Sequence, residues 1–187
     1  MSEHAGVESG HGNKRVALLI AVLALFLALA ETAGKNAQTE ALAANVEASN
    51  LWAFFQAKTI RQTGVRLASE LAALQKPAPE SEQAVKANAQ LDDWKKTIER
   101  WESEPSTQEG RRELSARAKA AEHKRDTAQA RYHHYEIASA AFQIAIVIAS
   151  ATVITGIGAL LWLSGALGAA GLAFAAIGLF APHAVHF

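Results

Sequence analysis

The chain contains no cysteine and only four prolines among its 187 residues. The absence of cysteine excludes disulfides, thiolate catalysis and zinc sites that use cysteine ligands. The scarcity of proline leaves long stretches in which helices can run without interruption. Neither charge sign is in excess, since 18 Lys and Arg residues balance 18 Asp and Glu residues. A nucleic-acid-binding face, which needs a basic surface, is therefore not expected.

Charged residues are also missing from three long apolar runs, at 16–30, 137–163 and 167–181. A helix rises about 1.5 Å per residue and the hydrocarbon core is about 30 Å thick, so about twenty apolar residues make a span. The second run reaches this length by itself, and the first reaches it with the turn that follows. The sequence therefore predicts three transmembrane helices, at 16–34, 137–163 and 166–181.

The first and third runs each leave an alternative open. The third run is rich in glycine and alanine rather than leucine, which weakens its insertion on its own. We expect it to enter as a hairpin with the second span through a tight turn at 164–166, and a re-entrant segment is the alternative. The first run follows Lys14 and Arg15, so it also fits a secretory signal. We interpret it as an uncleaved span, and two further runs hold the chain in the membrane in either case.

The polar stretch between the first two spans, residues 35–136, predicts a helical hairpin. Ala, Leu, Gln, Glu and Lys dominate its outgoing limb, and these residues favour helix. Prolines predict a turn near 76–80, and a second break is expected near 104–110. The fold class that follows is all-α, with three transmembrane helices and a long antiparallel hairpin extending from the membrane. A polar N-terminal tail (1–15) and a C-terminal tail (182–187) complete the chain.

Apolar residues in the hairpin follow the spacing of a coiled-coil seam, with two apolar positions in every seven-residue repeat. The outgoing limb carries them at Val46, Ala53, Ile60, Leu67 and Leu74, with Ala43, Ala57, Gly64 and Leu71 between. The return limb carries them at Leu91, Trp94, Ile98 and Trp101. We expect the two seams to pack against each other in antiparallel orientation.

The densest apolar patch of the hairpin covers an arc of about 160° on a helix, which is wider than one partner helix needs. It comprises Leu51, Trp52, Phe54 and Phe55. Packing inside the hairpin accounts for such a patch. An interface with another protomer or a partner protein also accounts for it, since aromatic residues concentrate at interface centres. We predict these four residues, with Trp94 and Trp101, as interaction residues, and a ligand pocket is the remaining alternative.

Polar residues cluster where the apolar runs meet the hairpin. Glu31 and Lys35 stand four residues apart, which is the spacing of an ion pair within one helix. The alternative is a proton or ion relay with Gln143, because ionisable groups at membrane depth usually face a bundle interior. The neighbouring set is typical of an interfacial anchor and comprises Tyr132, His133, His134 and Tyr135. Adjacent histidines point about 100° apart, so no metal site is expected there.

Small residues recur at helical spacing in the second and third spans. They are Ala141, Ala145 and Ala149 in the second span, and Gly168, Gly171 and Gly178 in the third. Such faces let helix backbones approach closely in a membrane, so we predict these six as helix-packing residues. Three spans per chain do not enclose an aqueous pore, so any channel would need an oligomer.

Three long segments resemble a known family. They are RVALLIAVLALFLALAETAGKNAQTEAL, NLWAFFQAKTIRQT and ARYHHYEIASAAFQIAIV. These strings are similar to signature segments of the bacterial membrane family catalogued as domain of unknown function 4337, and the resemblance spans essentially the whole chain. It implies a multi-pass protein of the bacterial inner (cytoplasmic) membrane. It transfers no activity, ligand or catalytic residue.

The expected function is that of a non-enzymatic membrane protein, either a self-assembling scaffold or an accessory subunit of a membrane complex. No histidine, carboxylate and nucleophile converge at a recognisable spacing, so no catalytic residue, metal or cofactor is predicted. The expected partners are membrane lipid, further copies of the chain and other subunits of a membrane complex, but not nucleic acid. The alternative is an oligomeric channel or transporter component that uses Glu31 and Gln143.

Overall fold

The structure is a computed structural model that describes residues 4–75 and 81–184, with side chains described from residue 14. Within these ranges it contains four helices and no strand. The helices are α1 (His4–Leu74), α2 (Glu82–Glu102), α3 (Arg111–Thr155) and α4 (Gly158–Phe180). By length and composition α1, α3 and α4 can each cross a membrane. The fold is therefore all-α with three candidate membrane spans, as predicted.

Two compact units divide the described chain. Unit 1 combines the residues up to Leu42 with those from Arg125 onward, and unit 2 is Ala43–Lys124. Unit 1 thus contains the three apolar segments, and unit 2 contains most of the charged residues. Each unit has its own hydrophobic cluster, so each is described by itself.

The helix ends follow local signals. Ser81 caps α2, since its side-chain oxygen accepts a hydrogen bond from the backbone N–H of Ala84 at 3.2 Å. The interval between α2 and α3 covers the break expected near 104–110. The turn predicted near 76–80 lies outside the described residues. The N-terminal tail predicted for 1–15 is helical from His4, and residues 1–3 lie outside the description.

Unit 1 is built from antiparallel neighbours around a small core. Phe26 of α1 stacks on Phe142 of α3 with ring centroids 6.1 Å apart. Ser164 of α4 is fully buried and donates a hydrogen bond to the backbone oxygen of Ala145 at 2.8 Å. The buried cluster at the centre comprises Leu23, Ala30, Ala138, Phe142 and Ala145. Small side chains at the contacts let the three helices lie close together.

The turn between the last two helices corrects the predicted span boundaries. We expected the second span to run over 137–163 and the turn to lie at 164–166, but α3 ends at Thr155 and α4 begins at Gly158. Gly156 has a φ of 71°, a left-handed conformation that glycine adopts without a Cβ clash, and its N–H closes the helix on the Thr152 oxygen at 2.9 Å. The third apolar helix is therefore 23 residues long, enough to span.

Unit 2 packs α2 and α3 against α1 in antiparallel orientation. Trp52 contacts Glu122, and further along α1 Gln62 contacts Ile98 and Glu102. Higher residue numbers on α1 thus contact lower residue numbers on its partner helices. The buried cluster comprises Ala48, Leu51, Leu114, Ala118 and Ala121, with Trp52 and Phe55 packed against it.

The face of α1 that is buried differs from the predicted seam. All nine predicted seam residues of the outgoing limb are exposed: Ala43, Val46, Ala53, Ala57, Ile60, Gly64, Leu67, Leu71 and Leu74. The buried residues also recur every seven positions, at Val16, Leu23, Ala30 and Ala37 in unit 1 and at Ala44, Leu51 and Lys58 in unit 2. This second face carries the large aromatic side chains in unit 2. Leu51, Trp52 and Phe55 of this face pack against α3, so its burial removes large apolar side chains from water.

Candidate functional site

A polar groove in unit 1 is the candidate site. It lies between α1 and α3 at the end of the apolar segments and has a volume of about 430 Å³. Its polar lining comprises Glu31, Lys35, Gln38, Tyr132, Tyr135, Glu136, Ser139 and Gln143. The helices bring these residues together because the polar end of each apolar segment lies beside that of its antiparallel neighbour.

The central contact of the groove joins Glu31 to Gln143. The Gln143 Nε2 donates a hydrogen bond to Glu31 Oε1 at 3.3 Å. In the described part of the chain no ion pair within 4.0 Å joins Glu31 to Lys35, so the local pair expected from their spacing is not formed. The contact with Gln143, which the relay alternative requires, is observed as this hydrogen bond, and the relay itself stays a prediction. A carboxylate held by an amide beside an apolar segment can accept a proton or contact a cation.

The four residues predicted as an interfacial anchor divide into two pairs. His134 and Tyr135 are buried, whereas Tyr132 is half-buried and His133 is exposed. His134 Nε2 lies 3.1 Å from the Pro182 backbone oxygen, and its ring stacks on Phe174. His134 therefore ties the end of α4 to α3. Among the described residues no three His, Cys, Asp or Glu side chains are grouped to hold a metal ion.

The predicted helix-packing residues lie at contacts inside unit 1. Ala145, Ala149, Gly168, Gly171 and Gly178 are buried, and Ala141 is half-buried. A Cβ added to Gly168 would lie 2.7 Å from Leu23 Cδ2, and one added to Gly171 would lie 2.8 Å from the Phe142 ring. These glycines are therefore occupied by packing within one chain.

A second polar cluster in unit 2 surrounds Arg111. Its guanidinium donates to Thr59 Oγ1 at 3.0 Å, to Gln62 Oε1 at 2.7 Å and to Glu102 Oε2 at 2.9 Å. Gln62 is almost fully buried and also donates to the Ile98 backbone oxygen. The cluster thus joins α1, the end of α2 and the start of α3 in one network.

Lys58 extends this network to the interval between α2 and α3. It is only 7% exposed, and its Nζ donates to the backbone oxygen of Glu109. The Glu104 and Glu109 carboxylates lie 3.9 and 4.0 Å from Nζ, and the Phe54 ring centroid lies 5.3 Å away. A buried ammonium needs such partners, so Lys58 has a structural role in holding this interval against α1.

The aromatic patch is mostly internal. Leu51 is buried, and the Trp52 and Phe55 rings meet edge to face with centroids 5.5 Å apart. The Trp52 Nε1 donates to Glu122 Oε1 at 2.9 Å. Packing inside the hairpin, one of the three alternatives drawn from the sequence, accounts for these three residues. Phe54 is 39% exposed and stays available to a partner.

The other two predicted interaction residues, Trp94 and Trp101, belong to α2 and are half-buried. Leu91 and Ile98 of the same predicted seam are half-buried as well. This face of α2 is therefore neither fully internal nor fully exposed within the single chain.

The comparison with known families assigns the chain to one family. A family profile described as "Domain of unknown function (DUF4337)" matches residues 12–181, which is most of the chain. The chain belongs to this family. No curated protein and no solved structure matches it. Membership in DUF4337 names no substrate, so function has to be argued from the residues themselves.

Sequence reasoning missed the network of this DUF4337 chain. Lys58, Gln62, Glu102 and Arg111 were not predicted as a cluster. A signal was present, since Lys58 continues the seven-residue series of buried positions after Ala44 and Leu51. A lysine in an otherwise apolar series indicates a paired, buried charge. The partners themselves come from distant positions and were not readable from spacing.

Two carboxyl groups of unit 2 have lowered pKa values. The hydrogen bond from Gln62 lowers the pKa of Glu102, with further lowering from the charges of Arg111 and Arg112. The hydrogen bond from the Ser103 hydroxyl lowers the pKa of Glu113, which also accepts from the Glu104 backbone N–H. Both groups are therefore stabilised as carboxylates in the folded chain.

A dependence of unit 2 stability on acid pH follows from these shifts. Because the folded pKa values are depressed, the stabilisation is fully present above the ordinary value of 4.5 and is lost as pH falls through the lower folded values. Thermal unfolding of the detergent-solubilised chain should therefore shift to lower temperature in acid. The E102Q/E113Q double variant should show a shallower shift. Equal slopes for the variant and the wild type would contradict the assignment.

Proposed function

We propose that this DUF4337 chain is a non-enzymatic, self-assembling scaffold or accessory subunit of a membrane complex. The observation that carries the proposal is the exposed apolar face of α1 in unit 2. Ile60 is 73% exposed, Leu67 56% and Leu74 83%, although they belong to a regular seven-residue series. An exposed, contiguous apolar surface outside the membrane segments is typical of a protein–protein interaction site.

The polar side chains of unit 2 support the same proposal. The Arg111 and Lys58 networks hold its helices together. In them Arg111 contacts the Glu102 carboxylate, and Lys58 lies near the Glu104 carboxylate. A rigid helical unit that presents a long apolar stripe suits a role in assembly. The expected partners are further copies of the chain, membrane lipid around unit 1 and other subunits of a membrane complex, with no nucleic acid.

The proposed location is the bacterial inner membrane. The three apolar helices support a membrane protein, since each is long enough to cross the hydrocarbon core. The resemblance of three long segments to the bacterial family supports the inner membrane in particular. We expect the protein to be multi-pass there.

The test is the mass of the particle in mild detergent and in nanodiscs. We expect the protein part of the particle to be a multiple of the 19.9 kDa chain mass. Proteins that co-purify distinguish an accessory subunit from a self-contained scaffold. A particle that is monomeric in both environments would overturn the proposal.

The second candidate function is an oligomeric channel or transporter component. The hydrogen bond between Glu31 and Gln143 in the groove of unit 1 favours it. The same purified protein can be reconstituted into liposomes, and a measurement of ion flux across them distinguishes the two functions. If the scaffold proposal holds, ion flux should not exceed that of empty liposomes. The channel would be established instead if the protein conducts ions and Glu31→Gln abolishes this flux. Glu136→Gln, a change in the same groove, should then leave the flux intact.

A further inference from the structure

The outer face of α1 is a complete but unpartnered seam. We define it as the a positions of a seven-residue repeat, 43, 50, 57, 64 and 71, with the d positions 46, 53, 60, 67 and 74. All ten residues are exposed, and the buried face of α1 in unit 2 lies on the opposite side. A strict seven-residue repeat on a free face is typical of helices that pair by knobs-into-holes packing.

The composition of the outer face fits pairing with an identical helix. The d positions are mostly large, with Val46, Ile60, Leu67 and Leu74. The a positions are mostly small, and small residues let two backbones approach closely. Asn50 occupies a single a position, and a lone asparagine there sets the register and number of helices in parallel pairs. Sequence reasoning passed over Asn50 because it interrupts the apolar series.

The charges beside the outer face do not oppose pairing with a second copy. In a parallel pair, each g position faces the e position five residues later on the other helix. Gln56 then faces Arg61 of the second copy, and Glu70 faces Gln75. No facing g and e positions along residues 43–75 carry two like charges. Phe54 occupies an e position, so the exposed aromatic side chain borders the same face.

The membrane segment of α1 selects a parallel arrangement. α1 is one helix that contains both the apolar run at 16–30 and the outer face. Two copies inserted in one membrane with one topology direct this helix the same way.

We propose that two copies of this chain pair in parallel and in register through the outer face of α1, with Asn50 facing Asn50 across a two-fold axis. This inference rests on the proposed self-association and names its interface. A two-fold interface presents the same patch from both copies, and in a parallel, in-register pair the axis runs along the helices, so every a and d residue meets its own equivalent. A parallel pair therefore brings identical positions together along the whole face, whereas an antiparallel pair does so only near its centre.

Disulfide trapping tests the pairing, because the chain has no native cysteine. Full-length chains with Ala43→Cys or Leu71→Cys, at the two ends of the outer face, are oxidised in nanodiscs and proteoliposomes. Both should form dimers of twice the chain mass. The matched controls Asn45→Cys and Ala73→Cys are exposed but point away from the face. They should react with a soluble thiol reagent and stay monomeric.

Three results would overturn the inference. The first is that neither Ala43→Cys nor Leu71→Cys forms a dimer. The second is that the controls form dimers equally well. The third is that disulfides form only when the two outer-face variants are mixed, as expected for an antiparallel pair. If the wild-type particle is nevertheless oligomeric, the scaffold proposal stands and this interface is wrong. If the particle is monomeric, both fail.

A variant of Asn50 tests the register independently of disulfide chemistry. Asn50→Leu should convert a homogeneous dimer into a mixture with larger assemblies, because the polar residue that selects the dimer is gone. Asn45→Leu, at an exposed position outside the outer face, should leave the mass unchanged. Identical masses for wild type and Asn50→Leu would contradict a buried Asn50 pair.

Discussion

Gly110→Ala is expected to destabilise unit 2 by about 3 kcal/mol, since overpacking against backbone and the loss of hydrogen bonds combine. A Cβ at this position would lie 2.4 Å from the Glu104 backbone nitrogen and 2.7 Å from Ser103 Cα. It would also lie 2.0 Å from Glu113 Oε2, and the Glu113 carboxylate accepts hydrogen bonds from Ser103 and Glu104. Two of the three obstructing atoms belong to the main chain, so side-chain movement cannot relieve the clash.

Gly64→Ala is the matched control for this change. Gly64 lies in α1 with nothing within 4 Å of an added Cβ. The same substitution there should be neutral or stabilise the chain by up to about 1 kcal/mol, because glycine is unfavourable inside a helix and alanine already occupies the equivalent outer-face positions 43 and 57.

Denaturant unfolding followed by tryptophan fluorescence measures both variants. Trp52, Trp94 and Trp101 lie in unit 2, so a Trp162→Phe background confines the signal to this unit. An unfolding midpoint for Gly110→Ala at or above that of wild type would show that the interval between α2 and α3 can rearrange. The close approach at Gly110 would then not be required for the fold.

Arg111→Ala is expected to destabilise unit 2 by about 2 to 3 kcal/mol, below the range for a fully buried pair because Glu102 is partly exposed. The change removes three hydrogen bonds at once, which Arg111 donates to Thr59, Gln62 and Glu102. Gln62 is only 3% exposed, so its side-chain oxygen cannot recover the lost hydrogen bond from bulk water. The guanidinium also lies 5.0 Å from the Phe55 ring centroid, and that contact is lost as well.

The neighbouring Arg112→Ala is the control. Arg112 is 73% exposed and approaches Glu102 only at 3.5 Å, so its loss should cost no more than about 0.5 kcal/mol. Chemical unfolding of both variants in low and high salt separates the two roles. Screening weakens exposed pairs most, so a large, salt-insensitive loss is expected for Arg111→Ala alone. Equal losses for the two arginines would mean that general charge, not the network, stabilises unit 2.

The two candidate functions use different residues, so they can be separated by mutation. The groove of unit 1 depends on Glu31 and Gln143, whereas the outer face of α1 runs through unit 2. Changes at Ile60 or Leu67 should alter assembly without touching the groove. Both side chains are exposed, so helix content should be preserved.

Part of the candidate site was readable from the sequence. Glu31 and Gln143 stand out because ionisable or amide groups are scarce in apolar runs. Their pairing was one of two alternatives, and only the register of α1 against α3 selects it over the local contact with Lys35. Spacing within one helix shows which residues share a face but not which neighbour that face meets.

Local signals also failed at the last turn. Ile154, Ile157 and Leu160 surround Gly156, so hydropathy does not fall where the chain reverses. The Ser164–Ala166 segment has a stronger turn composition, yet Ser164 is helical, fully buried and bonded to Ala145. A buried acceptor on α3 satisfies the hydroxyl group, and this interaction is invisible without the neighbouring helix.

The sequence by itself determined the helical class, the three apolar segments and the break between α2 and α3, because helix preference, hydropathy and proline or glycine act over short stretches. The tertiary structure alone decided which face of α1 is buried. Two faces of α1 carry a seven-residue repeat, and periodicity cannot rank them. The face with Leu51, Trp52 and Phe55 is buried because its large side chains fill the space beside α3, and Lys58 and Gln62 find polar partners there.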